Sequence, residues 1–200
     1  MRCLAFDLGR VVFDFDYNLA LDKMKHKMFT PKEEIIEAFF YRDFTLDFEK
    51  GIISPGEFYQ KFKEVFKCPL SYEDFYEAWN IIFSPNKKVI NLIKNLTIAY
   101  PVYLISNINK AHFDHLYRNF EDVFSLFKGL ILSYKVKSVK PEEKIYQELV
   151  SLSGFKPEEI IYIDDREDLI SEAGKLGFDS IRFLGQEQLV KELKERGIYS

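Results

Sequence analysis

Three short apolar runs each stop at a small polar or acidic residue, and that repeated ending constrains the fold more than any other feature of the chain. They are Arg2-Cys-Leu-Ala-Phe-Asp7, Val102-Tyr-Leu-Ile-Ser106-Asn107 and Ile160-Ile-Tyr-Ile-Asp164-Asp165. A run without polar alternation suits a strand buried on both faces, as in parallel sheets covered by helices on either side. Gly129-Leu-Ile-Leu-Ser133 and Ser180-Ile-Arg-Phe183 complete five candidate strands. Helical periodicity fills the intervals over Lys87–Tyr100, Lys110–Tyr117, Pro141–Ser153, Glu167–Leu176 and Glu187–Arg196. Asn109, Pro141 in a first turn and the acids from Asp164 to Asp168 supply start signals for three of these helices. Strands alternating with helices predict an α/β fold built on a parallel sheet.

The stretch from Tyr17 to Ser84 breaks this rhythm. It carries helix-like patterns over Leu19–Met28, Pro31–Tyr41, Pro55–Phe66 and Tyr72–Phe83, with breaks at Thr30-Pro31, Gly51, Ser54-Pro-Gly56 and Pro69, and no convincing strand. It reads as a small α-helical cap, residues 17–84, inserted after the first strand of a core formed by residues 1–16 and 85–200. The 20 Phe and 12 Tyr of the chain have a structural explanation in such a cap, because a small bundle needs large side chains to make a core.

The formal net charge is −4, which provides no basic field for nucleic acid. Apolar runs are only a few residues long, and Asp7 and Arg10 interrupt the N-terminal one, so no membrane or signal segment is expected and the chain reads as cytoplasmic. Cys3 and Cys68 have neither disulfide-framework nor zinc-ligand spacing.

In an open parallel sheet, ligands bind at the carboxyl ends of the strands. Those ends carry Asp7, Ser106, Asn107, Asp164 and Asp165. Adjacent carboxylates facing a third repel one another unless a cation compensates, and hard oxygen ligands of this kind suit Mg²⁺. Lys140, just before Pro141, then becomes a point charge for a phosphate or for the nucleophile carboxylate. His112 and His115 lie three apart on a predicted helix, but nothing else completes a tetrahedral site, and packing explains them better.

Taken in order, Phe6-Asp7-Leu-Gly9-Arg-Val11, Leu104-Ile-Ser106-Asn107, Val139-Lys140-Pro141-Glu-Glu-Lys-Ile145-Tyr146 and Tyr162-Ile-Asp164-Asp165 resemble the four motifs of the haloacid dehalogenase superfamily. Phe48-Glu-Lys-Gly51-Ile-Ile-Ser54 followed by Glu57-Phe58 is similar to its first type of helical cap. The resemblance spans nearly the whole chain. It implies a three-layer Rossmann-like core with the first strand central, and phosphoryl transfer to a small phosphorylated metabolite, such as a sugar phosphate. Asp7 would be the nucleophile, forming an aspartyl phosphate. Mg²⁺ would be held by Asp7, the Gly9 carbonyl and an acid of the Asp164-Asp165 pair, with Asp165 favoured. Ser106, the Asn107 backbone N–H and Lys140 would hold phosphoryl oxygens.

Two departures from the family pattern stand out. Most of its phosphatases have a second Asp two positions after the nucleophile as general acid and base, where this chain has Gly9. A subgroup resembling sugar-1-phosphate phosphatases also reads Asp-Leu-Gly-x-Val, so Gly9 is compatible with hydrolysis of a leaving group that needs little protonation. Asp14 and Asp16 in the following flap are candidate substitutes. The second departure is Leu169, where the family often has Asn or Asp, and Asp168 is the neighbour available for its supporting role. The competing readings are a 2-haloacid dehalogenase-type hydrolase, which uses an Asp nucleophile without a metal, and a catalytically impaired domain used as a binding or regulatory module.

Overall fold

The structure is a computed structural model and describes residues 1–24, 43–67 and 69–198. The predicted helix Pro31–Tyr41, the end of the predicted Leu19–Met28 segment, Arg42 and Cys68 lie outside the described residues.

Five strands form one parallel sheet: β1 (Cys3–Phe6), β4 (Val102–Ser106), β5 (Gly129–Leu132), β6 (Ile160–Asp164) and β7 (Asp179–Arg182). Their spatial order is β5-β4-β1-β6-β7, with β1 at the centre. Leu4 aligns with Val102 on one side and Ile161 on the other. This register brings the carboxyl ends of β1, β4 and β6 together at one edge.

Alternation along β1 separates two cores, because successive strand residues point to opposite faces. Leu4 and Phe6 join Val102, Leu104, Ile161 and Ile163 on one face. That face is covered by helices α5 (Lys87–Leu96), α6 (Lys110–Asn119) and α11 (Gln186–Glu195). Cys3 and Ala5 join Tyr103, Ile105, Ile160 and Tyr162 on the other. It is covered by α9 (Glu143–Ser153) and α10 (Glu167–Lys175). The result is the expected three-layer α/β arrangement. Cys3 is buried with a free thiol.

A third core belongs to the segment after β1. Its helices are α1 (Tyr17–Met24), α2 (Asp43–Glu49), α3 (Pro55–Phe66) and α4 (Tyr72–Asn80). Phe48, Phe58, Phe62, Phe75 and Trp79 pack together there, with the Phe48 and Phe58 rings stacked at 4.2 Å between centroids. Ser54 starts α3 with a reciprocal cap. Its hydroxyl accepts from the Glu57 N–H at 3.2 Å, and its own N–H donates to the Glu57 carboxylate at 2.7 Å, which satisfies two otherwise orphaned donors.

Several sequence expectations need correction. The strand-free reading of 17–84 fails at its edge, since Phe83 and Ser84 belong to β3 (Phe83–Pro85), which pairs antiparallel with β2 (Phe13–Phe15). Three-residue strands are too short to show a period, and here the partners are far apart in sequence. Helix α2 was also not expected, because its apolar residues Phe44, Leu46 and Phe48 alternate with a strand-like period of two. Pro141 does not sit in the first turn of α9. That helix begins at Glu143 with Glu142 as its cap residue, and Pro141 lies in the turn before it. Short helices α7 (Glu121–Phe124) and α8 (Ser133–Val136) complete the chain.

Candidate active site

A cleft of about 580 Å³ opens above the carboxyl ends of β1, β4 and β6, with α2 and α4 on its opposite side. It brings together the seven residues to which the resemblance gives a metal, nucleophile or phosphate role: Asp7, Gly9, Ser106, Asn107, Lys140, Asp164 and Asp165 all line it.

Lys140 organises the floor. Its ammonium donates to Asp7 Oδ1 and to Asp164 Oδ2, each at 2.6 Å. All three residues are buried, so these are strong charge-assisted bonds in a medium with little screening. Burial alone would lower the lysine pKa, but the facing carboxylates of Asp7 and Asp164 outweigh it and hold it above the ordinary value.

The three acids differ in how far they are already satisfied. Asp164 accepts at both oxygens. The Tyr162 hydroxyl donates to Oδ2 at 2.5 Å, beside Lys140, and the Arg166 backbone N–H donates to Oδ1 at 3.0 Å. Although burial opposes ionisation, the lysine and these bonds keep the Asp164 carboxyl below the ordinary range. Asp7 moves the other way. Burial raises its pKa, the Lys140 charge offsets this in part, and the carboxylates of Asp164 and Asp165 add to it. Asp165 is half-exposed, and among the described residues no ion pair holds it. Burial followed by the Asp164 charge raises its carboxyl as well.

Ligand oxygens of Asp7, Asp164 and Asp165 all lie within 4.8 Å of one another. Three carboxylates against one ammonium leave an excess of negative charge. The donor set is all hard oxygen, and two of its acids are held above their usual pKa, as expected where a cation is the missing counter-charge. The residues present therefore fit Mg²⁺, with Asp7 and Asp165 retaining free acceptor capacity and Asp164 saturated.

Asn107 works through its side chain as a bracket. Its Nδ2 donates to the Lys140 carbonyl at 3.0 Å and its Oδ1 accepts from the Lys140 N–H at 2.7 Å, fixing the loop that carries the lysine. The sequence signalled Asn107 as a strand-end residue but gave no hint of this pairing. Tyr162 was missed altogether, being read as one apolar member of β6. The available signal was its place two residues before Asp164, on the same face of the strand.

Asp14 and Asp16 are exposed and do not line the cleft. Asp16 instead accepts from the Asn18 N–H at 2.9 Å at the start of α1. Asp168 does not take the role left open by Leu169. It points to solvent and pairs with Arg166 at 2.5 Å, while Leu169 is buried and forms part of the cleft wall. His112 is buried between the two layers of the cleft. Its Nδ1 accepts from Asn109 Nδ2 at 3.0 Å, and Nε2 donates to the Trp79 carbonyl at 3.1 Å. Burial depresses its pKa to about 3, so the ring is neutral and serves to join α6 to α4. Trp79 lines the cleft while packing in the cap core.

Known proteins resemble this chain in sequence and in fold. A D-ribitol-5-phosphate phosphatase of Bacteroides thetaiotaomicron is 23% identical across 188 residues, 91% of each protein. A crystal structure of a HAD family enzyme from Bacteroides thetaiotaomicron, in complex with magnesium and inorganic phosphate, superposes with a TM-score of 0.82 at 29% identity, covering 91% of this chain and 93% of the other. A predicted HAD-like hydrolase from Porphyromonas gingivalis gives a TM-score of 0.85 at 25% identity, covering 98% and 97%. Residues 11–177 match the family of haloacid dehalogenase-like hydrolases. With the charged floor, the sheet order and this match in agreement, the chain belongs to the haloacid dehalogenase-like hydrolase family.

Proposed function

We propose that this enzyme is a Mg²⁺-dependent phosphomonoester hydrolase that acts on a small phosphorylated metabolite through an aspartyl phosphate on Asp7. The observation that carries the reading is the contrast between Asp164, locked on Lys140 and Tyr162, and Asp165, left open beside Asp7. A metal-independent dehalogenase has no use for two further carboxylates beside its nucleophile, since they oppose its ionisation. The division into a core of 1–16 and 85–200 with a cap of 17–84 is part of the same proposal.

In this mechanism Asp7 attacks phosphorus in line with the leaving oxygen. Ser106, the Asn107 N–H and Lys140 hold the nonbridging oxygens, which supplies the positioning and charge stabilisation on which phosphoryl transfer chiefly depends. Lys140 keeps Asp7 oriented, because its ammonium is itself fixed by Asp164. Asp7, the Gly9 carbonyl and Asp165 would hold Mg²⁺, which neutralises charge between nucleophile and phosphate. The cap residues on the opposite wall exclude water and contact the leaving group. The Bacteroides phosphatase supports a polyol or sugar phosphate as the substrate class.

The test is phosphate release from ribitol 5-phosphate, a panel of sugar phosphates and p-nitrophenyl phosphate, with Mg²⁺ or with EDTA. Turnover that needs Mg²⁺ and favours polyol or sugar phosphates is the expected result. A folded protein with no turnover on any of them, or with turnover indifferent to EDTA, overturns the reading.

A further inference from the structure

An alkyl alkoxide is a poor leaving group, so hydrolysis of a polyol or sugar phosphate needs a proton for the departing oxygen. Gly9 has no side chain to give one. A Cβ at that position would lie 2.9 Å from Phe15 Cε1, so the flap ring occupies the space into which a side chain would grow. Asp14 and Asp16 face solvent. Among the described residues lining the cleft, the carboxyl groups other than the Asp7, Asp164 and Asp165 trio belong to Asp43, which is exposed, and Glu49.

Glu49 ends helix α2, is partly buried, and shares the cleft with Asp7 and Lys140. Among the described residues no hydrogen bond or ion pair engages its carboxyl. Its backbone, in contrast, is pinned to the core. The Ser133 hydroxyl donates to the Glu49 carbonyl at 2.7 Å, Lys50 pairs with Glu142, and the Lys137 ammonium donates to the Gly51 carbonyl. Gly51 has φ +61°, and a Cβ there would sit 2.5 Å from the Tyr134 carbonyl oxygen, so this loop lies directly against the core segment. That segment, Ser133 to Glu142, also carries Lys140. One stretch of chain thus holds both the ammonium on the floor and the carboxyl opposite it.

We propose that Glu49 is the general acid and base of this hydrolase, a role that rests on the phosphomonoester reading above. In the first half-reaction the ester oxygen takes the Glu49 proton as its bond to phosphorus breaks and the bond from Asp7 to phosphorus forms. In the second, the Glu49 carboxylate takes a proton from the water that attacks phosphorus. The Asp7–phosphorus bond then breaks, returning the Asp7 carboxylate, inorganic phosphate and protonated Glu49. Tyr17, Arg166 and Lys140 lie within electrostatic reach of the carboxyl. Burial raises it to about 7 against the pull of the two cations, so both protonation states exist near neutral pH, as an acid and base in alternation requires.

The experiment compares wild type with Glu49→Gln and Glu49→Asp on an alkyl phosphate and on p-nitrophenyl phosphate, whose leaving group departs without a proton. In Glu49→Gln, kcat on the alkyl phosphate should fall by about 10²- to 10⁴-fold. The single-turnover burst of p-nitrophenol should fall less than about tenfold, since that half-reaction bypasses the acid. Glu49→Asp should recover at least about tenfold in kcat over Gln, because it keeps the carboxyl. Equal losses on both substrates, a change in KM with kcat retained, or no recovery in the Asp variant would each overturn the assignment. A wild type inactive on every phosphomonoester would instead defeat the underlying reading, so the two failures are distinct.

Discussion

The floor and the roof of the cleft are built on opposite plans. On the floor, buried charges are held by partners: Lys140 serves Asp7 and Asp164 together, Tyr162 and the Arg166 N–H complete Asp164, and Asn107 brackets the lysine loop. The roof is an aromatic core, where Phe48, Phe58, Phe75 and Trp79 pack on one another and Glu49 brings a carboxyl that no hydrogen bond or ion pair engages among the described residues. The floor is arranged for one geometry around one transferred group. The roof gains its stability from non-directional burial, which leaves its inward surface free to vary with the leaving group.

The sharpest test of this contrast lies in Asp7. Asp7→Asn should lower hydrolysis by about 10⁴-fold or more, as removal of a nucleophile does. The fold should persist, because the change is nearly isosteric and relieves a crowd of carboxylates, leaving Lys140 paired with Asp164. Circular dichroism beside the phosphate assay reads both, and substantial residual hydrolysis would move the nucleophile elsewhere.

A roof substitution should show the reverse pattern. Phe58 is fully buried among aromatic rings, and Phe58→Ala should cost about 3–5 kcal/mol in chemical denaturation. A loss below about 1 kcal/mol, well under the range for such truncations, would mean that the aromatic cluster is not what holds the roof together.

Within the floor itself, the adjacent acids should separate. Asp165→Ala should weaken Mg²⁺ binding by at least about tenfold, roughly 1.4 kcal/mol, with little change in melting temperature. Asp164→Ala should cost about 3 kcal/mol of stability, because it strips a buried lysine of one partner, and should cost less in Mg²⁺ affinity. Calorimetric titration with thermal melts checks both, and the reverse order in affinity would exchange the roles of the two acids.

The joint between floor and roof should titrate. His112 is held neutral with a pKa near 3 by burial, against the Trp79 carbonyl that favours the charged ring and with the His115 charge adding to the depression. The unfolded chain binds the extra proton below about 6.5. Stability from this group is therefore complete above that pH and declines as pH falls from about 6.5 toward 3. His112→Gln should flatten this part of the stability profile, and an unchanged slope would place the acid sensitivity in other groups.

The two regions also differed in how far the sequence revealed them. The three central strands were legible because burial on both faces writes an unbroken apolar run, and the polar residue that ends each of them lies at the cleft. Lys140 was found through its place before Pro141, although the helix begins later, at Glu143. What escaped were features decided by tertiary contact. β2 and β3 exist only through pairing with each other. Helix α2 hides behind the alternation of Phe44, Leu46 and Phe48. Glu49 belongs to that hidden helix, and Tyr162 looks in sequence like any strand residue. Glu49 enters the cleft only because α2 is set opposite the ends of β1, β4 and β6, which no local pattern records.

The proposed passage of phosphoryl through Asp7 is open to rapid acid quenching during turnover with Mg²⁺ and substrate. Peptide mass analysis of the quenched enzyme should show one phosphoryl adduct, located on the Asp7 side chain and absent from Asp7→Asn. An adduct on another residue, or an active enzyme that never carries one, would rule out Asp7 as the nucleophile.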